Sequence, residues 1–377
     1  MYTGKNFNLI PPLAGKKGIV SPFANNTKFY VITKPYKNQY LPYFFYKSTV
    51  FSGALPPLTA PFPRDFEEVF IFLAFSDKKL YNKRIIPIKE FYIMASYQVL
   101  YNPSSNNRRG EAEAHALDAI LKDDVLTYRD VMKLGSYREF LMGLPVDEKV
   151  VICGGDGTLN RLVNDLNGYV PVNEIYYLGA GSGNDFLNDL GRKPADGLVK
   201  LNDYIKDLPV VTVNGRTSRF INGVGYGIDG YCCEEGDRQR EKSDKPVNYT
   251  SIAINGLLFH FKPVNATVTV DGVKHTYKKV WLAPTMNGRC YGGGMMPTPD
   301  QDRLDPERKL SVLVYHGVGK LKALIVFPSI FKGEHLKHDK MCEVLTGHEI
   351  TVEFDRPTAL QIDGETVKNV TSYKAVK

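Results

Sequence analysis

Two glycine-rich turns hold the residues best equipped for chemistry. The first is Gly154-Gly155-Asp156-Gly157-Thr158. Its glycines let the backbone approach a bulky anion and aim N–H groups at it. The apolar run Val150–Cys153 precedes the turn, and Leu159, Leu162, Val163 and Leu166 follow it at the spacing of one helix face. A phosphate bound there would meet the positive end of that helix, with Thr158 placed to cap it. Asp156 is the odd member, because a bare carboxylate repels phosphate. It either holds Mg2+ or acts on a reacting hydroxyl. The second turn, Gly179 to Asp185, reads GAGSGND and comes one strand later. Asn184 and Asp185 offer a donor and acceptors for a ribose, a base or a substrate, or caps for the helix behind them.

These turns need a frame. Tyr97–Tyr101, Val125–Val131, Val150–Cys153 and Ile175–Leu178 read as short strands. Helices are expected over Glu111–Leu121, around Ser136–Leu144, after the first turn and from Asn184. This alternation predicts an α/β layer with a parallel sheet, in which turns at the carboxyl ends of neighbouring strands open onto one crevice. Beyond residue 208 the pattern changes. Pro209–Val213, Phe220–Val224, Ala266–Val270, Val280–Ala283, Leu310–Tyr315 and Ile350–Phe354 are short and rich in β-branched or aromatic residues. Asn214-Gly215, Asp271-Gly272 and Asp363-Gly364 punctuate them as turns. That half predicts an antiparallel sandwich or barrel, interrupted by one helical stretch at Tyr249–Phe261. Residues 1–93 are crowded with Pro, Tyr, Phe and Lys and show no period. They read as an irregular extension, either poorly ordered or upstream of a true start at Met94. The expected organisation is therefore 1–93, an α/β domain over 94–208 and a β domain over 209–377.

The motifs resemble the diacylglycerol-kinase catalytic-domain family of soluble lipid kinases. GGDGTLN followed by GSGNDF carries most of the likeness. Asn102-Pro103-Ser104-Ser105 resembles that family's loop after the first strand, with Asn106 where glycine is usual. Asn222-Gly223, the turn Gly292-Gly293-Gly294-Met295 and Asp363-Gly364-Glu365 match further landmarks, so the likeness covers roughly residues 95–370. It implies an α/β domain that binds ATP, a β-sandwich that completes a cleft for lipid, and an active site between them. Carried over position by position, Gly154, Gly155, Asp156, Gly157 and Thr158 would take nucleotide phosphates and Mg2+. Asn102, Ser104, Gly181 and Asn184 would help to hold the nucleotide. Asp363 and Glu365 would face the reacting hydroxyl, with Glu365 as general base and Asp156 as its competitor. A structural metal would sit at Asp302 or Asp305.

The resemblance thus implies phosphoryl transfer from ATP to a lipid hydroxyl, with diacylglycerol giving phosphatidic acid as the leading case. NAD kinase, which shares the GGDGT turn, and a catalytically silent nucleotide-binding regulator are the alternatives. Composition fits a globular chain: of 377 residues, 43% are hydrophobic and 24% charged. The net charge of +7 suits an anionic partner such as nucleotide or a membrane surface. A nucleic-acid binder would need interleaved basic and aromatic residues on one face; the Tyr/Lys-rich N-terminal arm gives only a weak hint of that, and no nucleic-acid partner is expected. No apolar run is long enough to span a bilayer, and the start lacks a signal-peptide core. Five cysteines without metal spacing fit reduced thiols, Cys153 and Cys342 as buried residues and Cys232-Cys233 as a loop pair. A cytoplasmic enzyme visiting a membrane surface follows. A homodimer is allowed, and the oligomeric state stays open.

Overall fold

The computed structural model describes residues 94–377, except 182 and 244–246, together with four short strands within residues 1–93. Met1–Ile93 and Met94–Lys377 form two separate compact units. In the first, Lys28–Thr33, Phe44–Phe45, Val69–Ala74 and Ile85–Ile88 pair as an antiparallel sheet. The remaining residues of that unit, on which the expectation of an irregular extension rests, lie outside the described ones.

The second unit begins with the α/β layer. Its sheet runs Val125–Asp130, Ser96–Tyr101, Lys149–Gly154, Ile175–Gly179, Val199–Lys200. The first three pairings are parallel and the last is antiparallel. The apolar run at 150–153 reflects burial on both faces. Val150 and Ile152 pack with Leu159, Leu162 and Leu166, while Val151 and Cys153 pack with Ala114 and Leu117. Where one helix was expected over Glu111–Leu121, two short ones form, Gly110–His115 and Leu117–Ile120.

The remaining strands form a curled antiparallel sheet around a second core containing Val211, Phe220, Tyr226, Val268, Val312, Val352 and Leu360. The long strand Glu349–Ile362 organises it. Its first half pairs with Val264–Val270 and its end with Gly223–Tyr226, so one strand feeds both flanks of the curl. Register shifts against Glu365–Val376 mark the bend. Asn214-Gly215, Asp271-Gly272 and Asp363-Gly364 all have positive φ at both positions, as tight hairpins require.

Two features depart from the sequence reading. Ile228–Lys242 is a 15-residue helix. Cys232-Cys233 therefore lies on a helix and not in a loop, with Cys232 buried. Periodicity misses the helix because its last nine residues, EEGDRQREK, carry no apolar stripe and its buried face uses glycines. The 249–261 stretch divides into Tyr249–Asn255 and a wider turn, Gly256–His260.

Candidate active site

The first turn works as a packed unit. The 11-residue helix Asp156–Leu166 starts with Gly155 as N-cap, and no side chain caps it. Thr158 lies inside the first helical turn, which corrects its expected role as cap. Its side chain fills the space over Gly154, where an added Cβ would stand 2.4 Å from the Thr158 hydroxyl oxygen. That hydroxyl accepts a hydrogen bond from Asn102 Nδ2 at 3.0 Å. Asn102 Oδ1 in turn accepts from the Ser104 N–H at 3.0 Å and winds the following loop. Ser104 itself is exposed. Asn106 adopts φ 47°, the left-handed conformation that glycine takes freely and asparagine tolerates.

The two glycine-rich turns meet directly. The Ala180 N–H donates to Gly154 O at 2.8 Å. A Cβ on Gly181 would lie 2.6 Å from the Gly155 Cα, so this approach is open only to glycine. Asn184 closes its own turn: Oδ1 accepts from Gly181 N at 3.1 Å and Nδ2 donates to Gly181 O at 2.7 Å. Its amide therefore shapes the backbone at Gly181.

Asp156 is half-buried where the turns and the β domain join. Its Oδ1 accepts from the Phe186 N–H and from Asn222 Nδ2, at 3.0 and 3.1 Å. Its Oδ2 accepts from the Asp185 N–H at 3.0 Å. Asp156 thus anchors the start of the helix Asp185–Asp189 and reaches across to the β domain. The buried Asp185 reaches across too, accepting from Gly293 and Gly294 N–H groups at 2.7 to 3.0 Å. Burial, and then the negative charge of Asp156, raise the Asp185 pKa above the usual carboxylate range, while the two glycine N–H groups oppose the rise.

Behind them is a buried ion cluster. Arg303 donates to Asp189, to Ile221 O at 3.1 Å and to Asn222 Oδ1 at 3.1 Å. Arg289 Nε shares the Asp189 carboxylate at 3.1 Å. The Arg303 guanidinium also stacks 4.7 Å from the Phe186 ring centre. The Asn222 amide is held from both sides, by Asp156 and by Arg303.

The two carboxylates near the C-terminal end have different fates. Asp363 is fully engaged. Its Oδ1 accepts from Asn222 and Gly223 N–H groups, and its Oδ2 from the Ile221 N–H and from Asn160 Nδ2, all at 2.7 to 3.1 Å. Burial raises its pKa, and these donors pull it back. The expectation that Asp363 faces the reacting hydroxyl is therefore corrected: it clamps the Ile221–Gly223 segment to the helix Asp156–Leu166. Glu365 is exposed and has no side-chain hydrogen-bond partner among the described residues. Its Oε1 lies 3.8 Å from the point where a Cβ on Gly157 would stand, over the first turn of the helix Asp156–Leu166.

Two domain families match this chain. Residues 96–212 match the profile of the diacylglycerol kinase catalytic domain, and residues 222–376 match the YegS C-terminal NAD kinase β-sandwich-like domain. The chain belongs to the diacylglycerol kinase catalytic-domain family. Its relatives include "Diacylglycerol kinase" of Mycobacterium tuberculosis, 28% identical over 56% of this chain and 67% of that protein. Another is "Putative lipid kinase YtlR" of Bacillus subtilis, 22% identical over 58% of this chain and 74% of that protein. A crystal structure described as a "putative diacylglycerol kinase" from Bacillus anthracis shares the fold, with a TM-score of 0.54 and 16% identity, covering 76% of this chain and 94% of that one.

Membership in this family implies Mg2+, and the donor chemistry fits it at one place. An added Cβ on Gly183 would lie 3.5 Å from Asp156 Oδ2 and 3.6 Å from Asp185 Oδ2, so two like-charged oxygens converge there. Hard carboxylate oxygens of this kind suit Mg2+, which keeps water and phosphate as its other ligands. Asp302 and Asp305, like Asp156 and Asp185, are hydrogen-bonded by backbone N–H groups. Asp302 Oδ1 accepts from the Leu304 N–H, and both Asp305 oxygens accept from the Glu307 and Lys309 N–H groups. A cation already serves that corner: Lys377 Nζ donates to Arg303 O at 2.7 Å and Asn287 Oδ1 at 2.8 Å.

Three positioning residues of this family member escaped the sequence reading: Asn160, Asp189 and Arg303. Nothing in their neighbours signals burial, because the contacts come from segments remote in sequence. Asn222 was marked only as a landmark, although an asparagine between Ile221 and Gly223 in an apolar strand start was a usable signal.

Proposed function

We propose that this chain is an ATP-dependent lipid kinase that moves the γ-phosphoryl group to a lipid hydroxyl, with diacylglycerol as the preferred acceptor and phosphatidic acid as product. One observation carries the reading. A carboxylate with no partner among the described residues, Glu365, lies over the first turn of a helix whose N-terminus is lined by glycines. Phosphoryl transfer asks for positioned phosphates, neutralised charge and an aimed hydroxyl, and little covalent chemistry from the protein.

In this scheme the backbone of Gly154, Gly155, Gly157 and Gly181 receives the phosphates, with Asn102 and Thr158 setting the shape of the turn. Ser104 and Asn184 border the same nucleotide site. Mg2+, held by Asp156 and Asp185, would neutralise phosphate charge. Glu365 takes the proton of the lipid hydroxyl as its oxygen bonds to the γ-phosphorus, and the bond to the β,γ-bridging oxygen breaks to release ADP. Asp156 is the weaker candidate for base because both its oxygens already accept hydrogen bonds. Asp363 supports the reaction by fixing the segment Ile221–Gly223, which carries Asn222.

The test is transfer of labelled phosphate from ATP to diacylglycerol, phosphatidylglycerol, ceramide and sphingosine in mixed micelles. Labelled phosphatidic acid is expected, and label in no lipid would end the proposal. The β domain also carries an NAD kinase-like likeness. NAD+ therefore belongs in the same panel, and label appearing there alone would move the assignment.

A further inference from the structure

Two elements of the β domain turn large apolar side chains outward. On the helix Lys320–Val326, Ala323 and Val326 are buried, yet Leu321 and Ile325 are each 70% exposed. These two are four residues apart and so share one face. Phe259, on Gly256–His260, is also 70% exposed. The two elements are packed together. Leu257 and Phe261 share a core cluster with Ala323 and Val326, and Lys320 Nζ donates to Leu258 O at 2.8 Å. The inner faces therefore supply the burial that holds these elements, and Phe259, Leu321 and Ile325 add none to the fold.

Single exposed apolar residues are ordinary, but neighbouring ones rimmed by charge mark a contact surface. The rim here is basic. Lys320, Lys322 and Lys332 are exposed beside the patch. The acidic neighbour Glu334 is neutralised by Lys337 at 2.8 Å. We propose that Phe259, Leu321 and Ile325, with Lys322 and Lys332, seat the protein on an anionic lipid bilayer. Apolar side chains enter the headgroup boundary while ammonium groups meet lipid phosphates. A symmetric contact with a second copy would set these lysines against each other, which disfavours self-association. The inference rests on the lipid kinase reading for its purpose, but vesicle binding is measured without it.

The experiment is co-sedimentation of the full chain with vesicles of phosphatidylglycerol and phosphatidylcholine, and separately of phosphatidylcholine alone. We expect binding to the anionic vesicles that weakens with salt and is much poorer on the neutral ones. A triple variant, Phe259→Ala with Leu321→Gln and Ile325→Gln, should lose about tenfold or more of the partition. Lys322→Glu with Lys332→Glu should lose a similar share at low salt. Both variants should keep wild-type phosphorylation of a short-chain, water-soluble diacylglycerol, which reads the active site without a membrane. If the soluble substrate is not phosphorylated by any of the proteins, the kinase reading fails while the vesicle result still stands or falls by itself. Unchanged partition in both variants would overturn the docking surface. So would a wild type that ignores vesicles but forms a dimer in sedimentation velocity that the triple variant dissolves.

Discussion

Asp156 accepts three hydrogen bonds, while Glu365 has no side-chain partner among the described residues, and that contrast is the ground for proposing Glu365 as the base. Both carboxylates were visible in the sequence as members of short motifs. Their division of labour was not, because the donors to Asp156 come from Asp185, Phe186 and Asn222. Asp363 shows the same limit: its place in DGE was legible, but its four donors depend on how a hairpin meets a helix. A third carboxylate gives a pH test. Asp229 is buried against Gly225 and accepts from Tyr291 Oη at 3.0 Å and from the Gly230 N–H at 2.9 Å. Burial pushes its pKa up to about 6, against the opposing pull of these donors. The folded state thus holds a proton that the unfolded chain releases near pH 4. The resulting stability is complete below about pH 4 and is lost as pH rises through about 6. Relative to Asp229→Asn, the wild type should lose on the order of 2–4 kcal/mol over that window. Denaturant unfolding at several pH values measures it, and parallel pH profiles would contradict it.

Among the elements, the two glycine-rich turns were the most legible part of the chain. Strand-to-helix placement follows from the apolar run before each turn, and their convergence follows from adjacent parallel strands. The tight approach of Gly155 and Gly181 makes a sharp comparison. Gly181→Ala puts a Cβ 2.6 Å from the Gly155 backbone, so one turn must retreat, at a cost of about 1–3 kcal/mol. Gly143→Ala, away from the site, meets nothing nearer than 3.5 Å. Gly181→Ala should weaken ATP binding about tenfold or more in calorimetry, while Gly143→Ala stays near wild type. Equal affinities would show that the convergence does not shape the phosphate site. The helix Ile228–Lys242 marks what periodicity misses: it packs through glycines against Ala359 and Tyr249, so no apolar stripe announces it.

For the molecule as a whole, the junction of the α/β and β domains is polar and buried. Asp185 with Gly293 and Gly294, Asp156 with Asn222, Asn160 with Asp363, and Asp189 with Arg289 and Arg303 all cross it. Such a joint is costly to break from one side, because a buried charge left without its partner loses its solvation as well. Asp189→Ala strands Arg303 and should cost about 3–5 kcal/mol, read as a lower thermal midpoint with a parallel loss of activity. A change under about 1 kcal/mol would show that the cluster does not hold the domains. The central claim is that Glu365 activates a lipid hydroxyl at the glycine-lined helix start. The most direct test compares wild type and Glu365→Gln for transfer of labelled phosphate from ATP to diacylglycerol, with ATP affinity measured alongside. We expect unchanged affinity and a transfer rate lower by about 10²–10⁴-fold in the variant. Equal transfer rates, or a wild type that labels no lipid, would contradict it.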